Sequence, residues 1–412
     1  MTGTAAQVRA DLPEDWQITT IGDVTEKFLN GGTPSTKNPE YWEGIIPWTT
    51  SSPMTSYYLD RGEYTISREG LEKSASNLIP KNNVLISTRV GVGKVAINRI
   101  DIAINQDLTG LILDKTRITP DFFVWTMLSK EYNQKLRGMS RGTTIKGLIR
   151  SELERFTIPL PPLPEQRRIA TILTTVDDAI QHSLQAAVET ERLKAGMMQE
   201  LMAKGIGHTE FREDPDVGRV PKKWEVAELK NVMDQRSEII QPTPKLKEKF
   251  VGLEHIETGE SSLKRYDLNA DLKSTKSRFY RGDILYGKLR PYLDKAAISG
   301  FEGICSTDLL VLTPRQEKSI ADFLINILHS HDFIQYAIST TSGTNHPRTS
   351  WKAISEFRLG LPALTEQKEI ATILNSIDHK FSLQHQRTAN YEQLKQGLMN
   401  ELLTGRRRVK VS

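Results

Sequence analysis

The sequence predicts an α+β protein made of two copies of one unit, each a globular part followed by a single long helix. Three observations carry that expectation. The segments LPPLPEQRRIATIL (160–173) and LPALTEQKEIATIL (361–374) agree at ten of fourteen positions, at a constant offset of 201. A stripe of apolar residues at helical spacing follows each phrase, and short apolar runs broken by glycine and proline turns precede it. At 412 residues the chain also exceeds what one hydrophobic core usually spans, so two or more domains are expected.

The repeat sets the architecture. Its offset holds downstream, where Leu193-Lys194 matches Leu394-Lys395, Gly196 matches Gly397, and Glu200-Leu201 matches Glu401-Leu402. It holds upstream as well, for Gly142-Thr143 with Gly343-Thr344 and for Phe156 with Phe357. Near the start of each copy it widens to 208, where LPEDW (12–16) answers VPKKW (220–224), as insertions in loops would produce.

Each globular part has strand-like runs, such as Val84-Leu85-Ile86 and Ile284-Leu285-Tyr286, and turn punctuation such as NGGTPS (30–35). Each closes with a helical pattern, at 119–136 in one copy and 319–338 in the other. A Gly-Thr loop and a short run into prolines follow (FTIPLPPL; FRLGLPAL).

The long helix starts at Pro164, whose fixed φ suits a first helical position, and Gly205 and Gly405 mark the two stops. Ile169, Leu173, Val176, Ile180, Leu184, Val188, Ala195, Met198 and Met202 make a stripe at spacings of 3 or 4, with Glu191 its polar member. The matching row, from Ile370, Leu374, Ile377 and Phe381 to Leu403, is more polar at His385 and Glu392. About 40 residues at 1.5 Å each give roughly 60 Å of helix. Such a helix cannot bury its stripe alone, and the other copy is the natural partner. A mid-helix glycine costs about 1 kcal/mol relative to alanine. Having one in both copies, at Gly196 and Gly397, predicts close backbone approach there, with a local helix break as the alternative.

Composition narrows the functional classes. A hydrophobic fraction of 38% with 26% charged residues is ordinary for a globular chain, and a net charge of +4 does not by itself announce nucleic acid. Duplex binding would need the basic residues gathered on one face. The one cysteine, Cys305, excludes an internal disulfide and a multi-cysteine zinc site and suits a reducing cytoplasm. The N-terminal residues lack the apolar run of a signal peptide, and no stretch approaches the ~20 apolar residues of a membrane span.

The twice-written L-P-x-L-x-E-Q-x-x-I-A-T-I-L, the segment GIGHTEFREDPDVGRVPKKWEV (205–226) and the terminal LLTGRRRVKV (402–411) resemble the specificity subunit of type I restriction–modification systems. The likeness covers essentially the whole chain. It implies a target recognition domain at 1–160, a conserved helical region at 161–206, a linker at 207–219, a second recognition domain at 220–360 and a second helical region at 361–412. It further implies helices packed as an antiparallel coiled coil about a pseudo-two-fold, no catalysis and no cofactor. The implied partners are double-stranded DNA, read at an asymmetric bipartite site, two methyltransferase subunits and restriction subunits, in the cytoplasm and without a membrane.

Motifs for chemistry are imperfect. NPEY (38–41) has Glu40 where a base-gripping methyltransferase motif needs a second proline. RVGVGKV (89–95) lacks the phosphate-loop spacing and the Ser/Thr after Lys94. Pro215-Asp216 with Glu228-Leu229-Lys230 spells a nuclease pattern, but the first copy has Val8 and Thr20 at the matching places. The eight histidines show no HExxH spacing, and His329 and His331 have no cysteine company, so no metal site is expected. Loops carrying Arg, Lys, Thr and Asn are the expected DNA contacts, since these side chains pair with base edges and phosphates. In the first copy they hold Thr33, Ser35 and Lys37; Arg89 and Lys94; and Arg141, Thr143, Thr144 and Lys146. In the second they hold Lys245; Lys288, Arg290 and Tyr292; and Thr344, Asn345 and Arg348.

Overall fold

A computed structural model describes residues 12–140, 147–241, 248–268, 274–343 and 345–410. Contacts divide the chain into two units, Met1–Leu184 with Gln386–Ser412, and Gln185–His385. The two-copy α+β architecture holds, with one difference in how it is assembled: the C-terminal end of each long helix belongs to the unit of the other copy.

In the first unit a five-stranded sheet runs in the order Thr25–Asn30, Leu108–Leu113, Val84–Ser87, Val95–Asn98, Tyr58–Leu59, and a four-stranded sheet runs Tyr64–Ile66, Ile46–Thr49, Ile102–Ile104, Asn77–Ile79. The central strands are buried on both faces, which is why they read as continuous apolar runs instead of alternating ones. Helix α1 (Pro120–Leu128) packs Phe122, Phe123 and Trp125 into the same core, and Thr119 caps it by accepting from Phe122 N at 3.2 Å. The helical pattern at 119–136 is broken at Ser129, whose backbone is extended, and resumes as α2 (Lys130–Gly138). A separate pair, Gln17–Thr20 with Thr157–Leu160, ties the start of the domain to the run before the long helix.

The second unit repeats the plan. Its sheets run Met233–Gln235, Leu309–Pro314, Ile284–Gly287, Ala296–Ser299, Ser262–Leu263, and Ile239–Ile240, Lys276–Phe279, Gly303–Cys305, Lys249–Val251, Asp267–Leu268. Glu225–Glu228 pairs with Arg358–Leu361 as its counterpart pair does in the first unit. The helical pattern at 319–338 is likewise broken, at Ser330, giving α4 (Ala321–Leu328) and α5 (His331–Ser339), since α3 is the long helix Leu163–Lys204. The stretch 207–219, expected as a linker, carries most of an antiparallel hairpin, Phe211–Asp214 with Gly218–Pro221.

The long helices are α3 and α6 (Leu364–Leu402). In the first unit the start of α3 packs on the end of α6, with Ile169, Leu173, Met399, Leu402 and Leu403 in one core. In the second, Leu201 from the end of α3 joins Ile370 and Leu374 from the start of α6. The helices are therefore antiparallel within each unit.

The expected stripe needs correction. Ile169, Leu173 and Ile180 are buried and Val176 is half-buried, but Leu184 and Val188 are 41% and 42% exposed. The facing row instead continues through Ser183, Ala187 and Thr190, all buried. From Val176 to Val188 the expected row takes three steps of four in succession, each turning it about 40° around a helix of 3.6 residues per turn, so midway it leaves the contact. There the contact is polar: Thr388 Oγ1 donates to Ser183 Oγ at 2.8 Å in the first unit, and Thr190 Oγ1 to Gln384 Oε1 at 3.4 Å in the second. The close approach expected at Gly196 and Gly397 does not occur either. Both glycines are exposed, a Cβ at either would meet no atom within 4 Å, and the helices run unbroken through them.

Candidate nucleic-acid interface

The repeated phrase has a structural purpose: it grips the globular part of each unit. Gln166 is fully buried; its Oε1 accepts from Thr119 N at 2.9 Å, and its Nε2 donates to Arg117 O at 2.9 Å and Pro161 O at 2.8 Å. Gln367 makes the same three bonds, accepting from Ile320 N at 3.2 Å and donating to Lys318 O at 2.8 Å and Pro362 O at 2.9 Å. The preceding glutamate takes the indole of the domain's first tryptophan. Trp16 Nε1 donates to Glu165 Oε2 at 3.0 Å, and Trp224 Nε1 to Glu366 Oε2 at 3.1 Å. These bonds fix the domain against the first turn of its helix.

On that frame, the loops singled out in the first copy meet at the turn Asn105–Asp107. Gly32 N donates to Ile104 O at 2.9 Å, and Thr33 Oγ1 to Gln106 Oε1 at 2.5 Å. A Cβ at Gly31 would strike the Asn105 carbonyl, which is why this loop begins with glycine. Thr88 N and Arg89 N both donate to Asp107 O, at 2.8 and 3.3 Å, and Leu148 N, just past the Gly-Thr loop, donates to Thr88 O at 2.7 Å. Thr33, Ser35, Lys37 and Arg89 are exposed there. Lys94 is different: its ammonium donates to Ser51 O at 2.8 Å and Ser52 O at 3.3 Å, so it ties its loop to the segment after Ile46–Thr49. Arg141, Thr143, Thr144 and Lys146, and in the second copy Lys245 and Thr344, also expected as DNA contacts, lie outside the described residues.

The second copy repeats the stitching. Lys288 N donates to Asp308 O at 3.0 Å, and Thr349 N to Lys288 O at 2.9 Å. Arg290 N donates to Pro347 O at 2.8 Å, joining the two remaining loops. Arg290 has φ +52° and Asp294 φ +48°, left-handed conformations that cost a non-glycine residue about 1 kcal/mol or more. They bracket the turn that leaves Tyr292 53% exposed. Asn345 and Arg348 are exposed, and Arg348 Nε donates to Asp308 Oδ1 at 3.2 Å.

Sequence reasoning missed Gln106. Its signal was available: AINQD (103–107) aligns with ICSTD (304–308) at the offset of 201, with the aspartate kept and Gln106 exchanged for Thr307. Both positions are exposed, on turns held by Asn105 Oδ1 accepting from Asp107 N at 3.1 Å and Ser306 Oγ from Asp308 N at 3.2 Å.

The chemical motifs resolve into structure. Pro39–Tyr41 is a 3₁₀ turn that buries Tyr41. Asp216 of the nuclease-like pattern pairs with Arg358. His329, the C-cap of α4, has Nδ1 2.6 Å from Asp294 Oδ1. Cys305 is buried, which pushes its thiol up to about 12, far from thiolate chemistry. Among the described residues no group of three or more His, Cys, Asp or Glu could hold a metal ion. No described helix is long and apolar enough to cross a membrane.

The frame is thus duplicated, and it holds matched turns whose exposed side chains differ. A family model described as the type I restriction modification DNA specificity domain matches residues 13–190 and 221–393, and the chain belongs to that family. It is 29% identical over 422 residues to the type I restriction enzyme MjaVIII specificity subunit of Methanocaldococcus jannaschii, covering 97% of this chain and 94% of that one. With the MjaIX specificity subunit of the same organism it is 29% identical over 259 residues, 60% of each chain. With the EcoDI specificity subunit of Escherichia coli it is 26% identical over 383 residues, 87% of this chain and 80% of that one. Among solved structures, the S subunit from M. genitalium shares the fold at a TM-score of 0.62 and 14% identity, over 95% of this chain and 98% of that one. A chain from a structure of type I R-M complex assembly does so at 0.56 and 18%, over 95% and 98%.

Proposed function

We propose that this chain supplies DNA sequence recognition to a type I restriction–modification complex. Residues 1–160 and 220–360 are the two recognition domains, and each reads one half of an asymmetric bipartite duplex site. The helical regions 161–206 and 361–412 offer two equivalent docking places for methyltransferase subunits, with restriction subunits joining the complex in the cytoplasm. One observation supports this reading above the others. The turns Asn105–Asp107 and Ser306–Asp308 are built alike, and each accepts from the loop that follows the central strand, at Thr88 N and Lys288 N, while the exposed residue on each differs. A shared frame with different tips suits two readers of different bases.

The experiment separates this reading from a catalytic one. The purified chain is incubated with duplex DNA and labelled S-adenosylmethionine, with and without methyltransferase subunits. No label is transferred by the chain alone, and site-specific transfer appears with the subunits. Methyl transfer by the chain alone would overturn the reading.

A further inference from the structure

We propose that Arg408 and His208 are positioning residues that close equivalent locks on the two units, and that only the lock of the second unit depends on a bound proton. The sequence places them in corresponding positions, three residues after Gly405 and Gly205, which end the long helices in left-handed conformations at φ +73° and +64°.

In the first unit the buried carboxylate of Glu165, which takes the Trp16 indole, also receives Arg408. Nε lies 2.8 Å from Oε1 and Nη2 2.8 Å from Oε2, and Val409 N adds a bond to Oε1 at 3.4 Å. The same guanidinium reaches Asp15 through Nη1 and Nη2, each at 2.8 Å. Its hydrogen bonds hold the Asp15 carboxyl below the usual carboxylate range. A guanidinium keeps its charge at every pH at which proteins are folded, and Glu165 and Asp15 push that of Arg408 further up.

In the second unit Glu366 takes the Trp224 indole in the same way, but the closing cation is an imidazole. His208 Nε2 lies 2.9 Å from Oε1 and 3.1 Å from Oε2, and Ile206 N donates to Oε1 at 2.9 Å. The groups facing His208 among the described residues are Glu366, from the start of α6, and the Trp224 ring, edge-on at 6.2 Å. The nearby segments carry Glu210, paired with Lys222 at 3.3 Å, and Lys204, paired with Glu200 at 3.4 Å. Histidine is the side chain whose charge ordinarily changes between pH 5 and 8. Facing a carboxylate, its charged form is the better partner. The lock is therefore complete with the imidazole protonated and weaker with it neutral, when a neutral hydrogen bond stands where a charge-assisted one stood.

The proposal concerns the lock itself; its effect on DNA rests on the recognition role proposed above. The test is hydrogen exchange of the full chain at pH 6 and pH 8.5, corrected for intrinsic exchange, comparing the segments around Trp224 and Trp16. Opening around Trp224 should increase about tenfold relative to that around Trp16, the difference between a charge-assisted and a neutral hydrogen bond. His208→Arg should abolish the pH dependence, Arg408→His should create it around Trp16, and His208→Gln should leave the second lock equally open at both pH values. Equal pH response of the two segments in the parent chain, or an unchanged response in His208→Arg, would overturn the proposal. Half-site selection at the same two pH values forms a second arm. If the exchange result holds while selectivity at both half-sites stays constant, the lock stands and its coupling to DNA reading fails.

Discussion

Lys395 and Asp177 join the two long helices in the first unit, with Nζ 2.7 Å from Oδ1, and the same pair displaced by 201 residues, Lys194 and Asp378, joins them in the second at 2.6 Å. Each residue type is supplied once by each helix. The antiparallel arrangement thus makes one ion pair twice, which explains why the Leu-Lys match persists so far beyond the opening phrase.

Asp177 and Lys395 are 13% and 23% exposed, so the pair is partly shielded from water. Asp177→Leu should destabilise the first unit by about 1–2 kcal/mol, because it leaves the lysine unpaired in a shielded place. Adding Lys395→Leu should recover most of that loss. A double-mutant cycle by denaturant unfolding measures it, and additive losses would contradict a direct pair.

Gln166→Ala should cost about 3 kcal/mol, since it leaves one buried N–H and two carbonyls without their partner. Gln367→Ala should cost a similar amount in the second unit. Gln166→Glu should be nearly as harmful, because a carboxylate faces the Arg117 and Pro161 carbonyls where an amide donated. Thermal unfolding of the three variants provides the comparison.

Gly196→Ala and Gly397→Ala should each stabilise the chain, by up to about 1 kcal/mol, because the positions are helical, exposed and free of neighbours. A loss of stability in either would mean that the glycine is needed for a contact within the chain. Unchanged stability with impaired assembly on methyltransferase subunits would place that contact on the docking face.

The loops separate by what their cations already hold. Arg89→Ala should weaken binding to all duplexes alike and lower the salt slope by about 1 if it meets a phosphate. Lys94→Ala removes a brace on the Ser51 and Ser52 carbonyls, so it should loosen the loop and lower stability as well as affinity. Titrating both variants at several salt concentrations distinguishes a lost phosphate contact from a loosened loop.

The duplicated architecture was legible because the signal is redundant: a phrase written twice, with the same glycine stops, needs no propensity argument. The helix pattern at 119–136 reads as one element because apolar spacing survives the extended residue Ser129, which only its backbone reveals. The polar middle of the helix pair was hidden for a different reason. Leu184 and Val188 look like contact residues, and Ser183 and Thr190 do not, until the rotation of the helix is known. Basic loops were recognisable by composition, yet composition cannot tell the exposed Arg89 from Lys94, whose ammonium the backbone occupies. Gln106 was missed because a single polar residue on a turn carries no local pattern; only the comparison of the two copies marks it.

The central claim is that two differently tipped units read two half-sites independently. The most direct measurement is selection of bound sequences from a randomised duplex pool by the assembled complex, using the parent chain, Gln106→Ala and Asn345→Ala. The account predicts an asymmetric bipartite motif for the parent, relaxed only in one half by Gln106→Ala and only in the other by Asn345→Ala. A single contiguous motif, or relaxation of the same half by both variants, would contradict it.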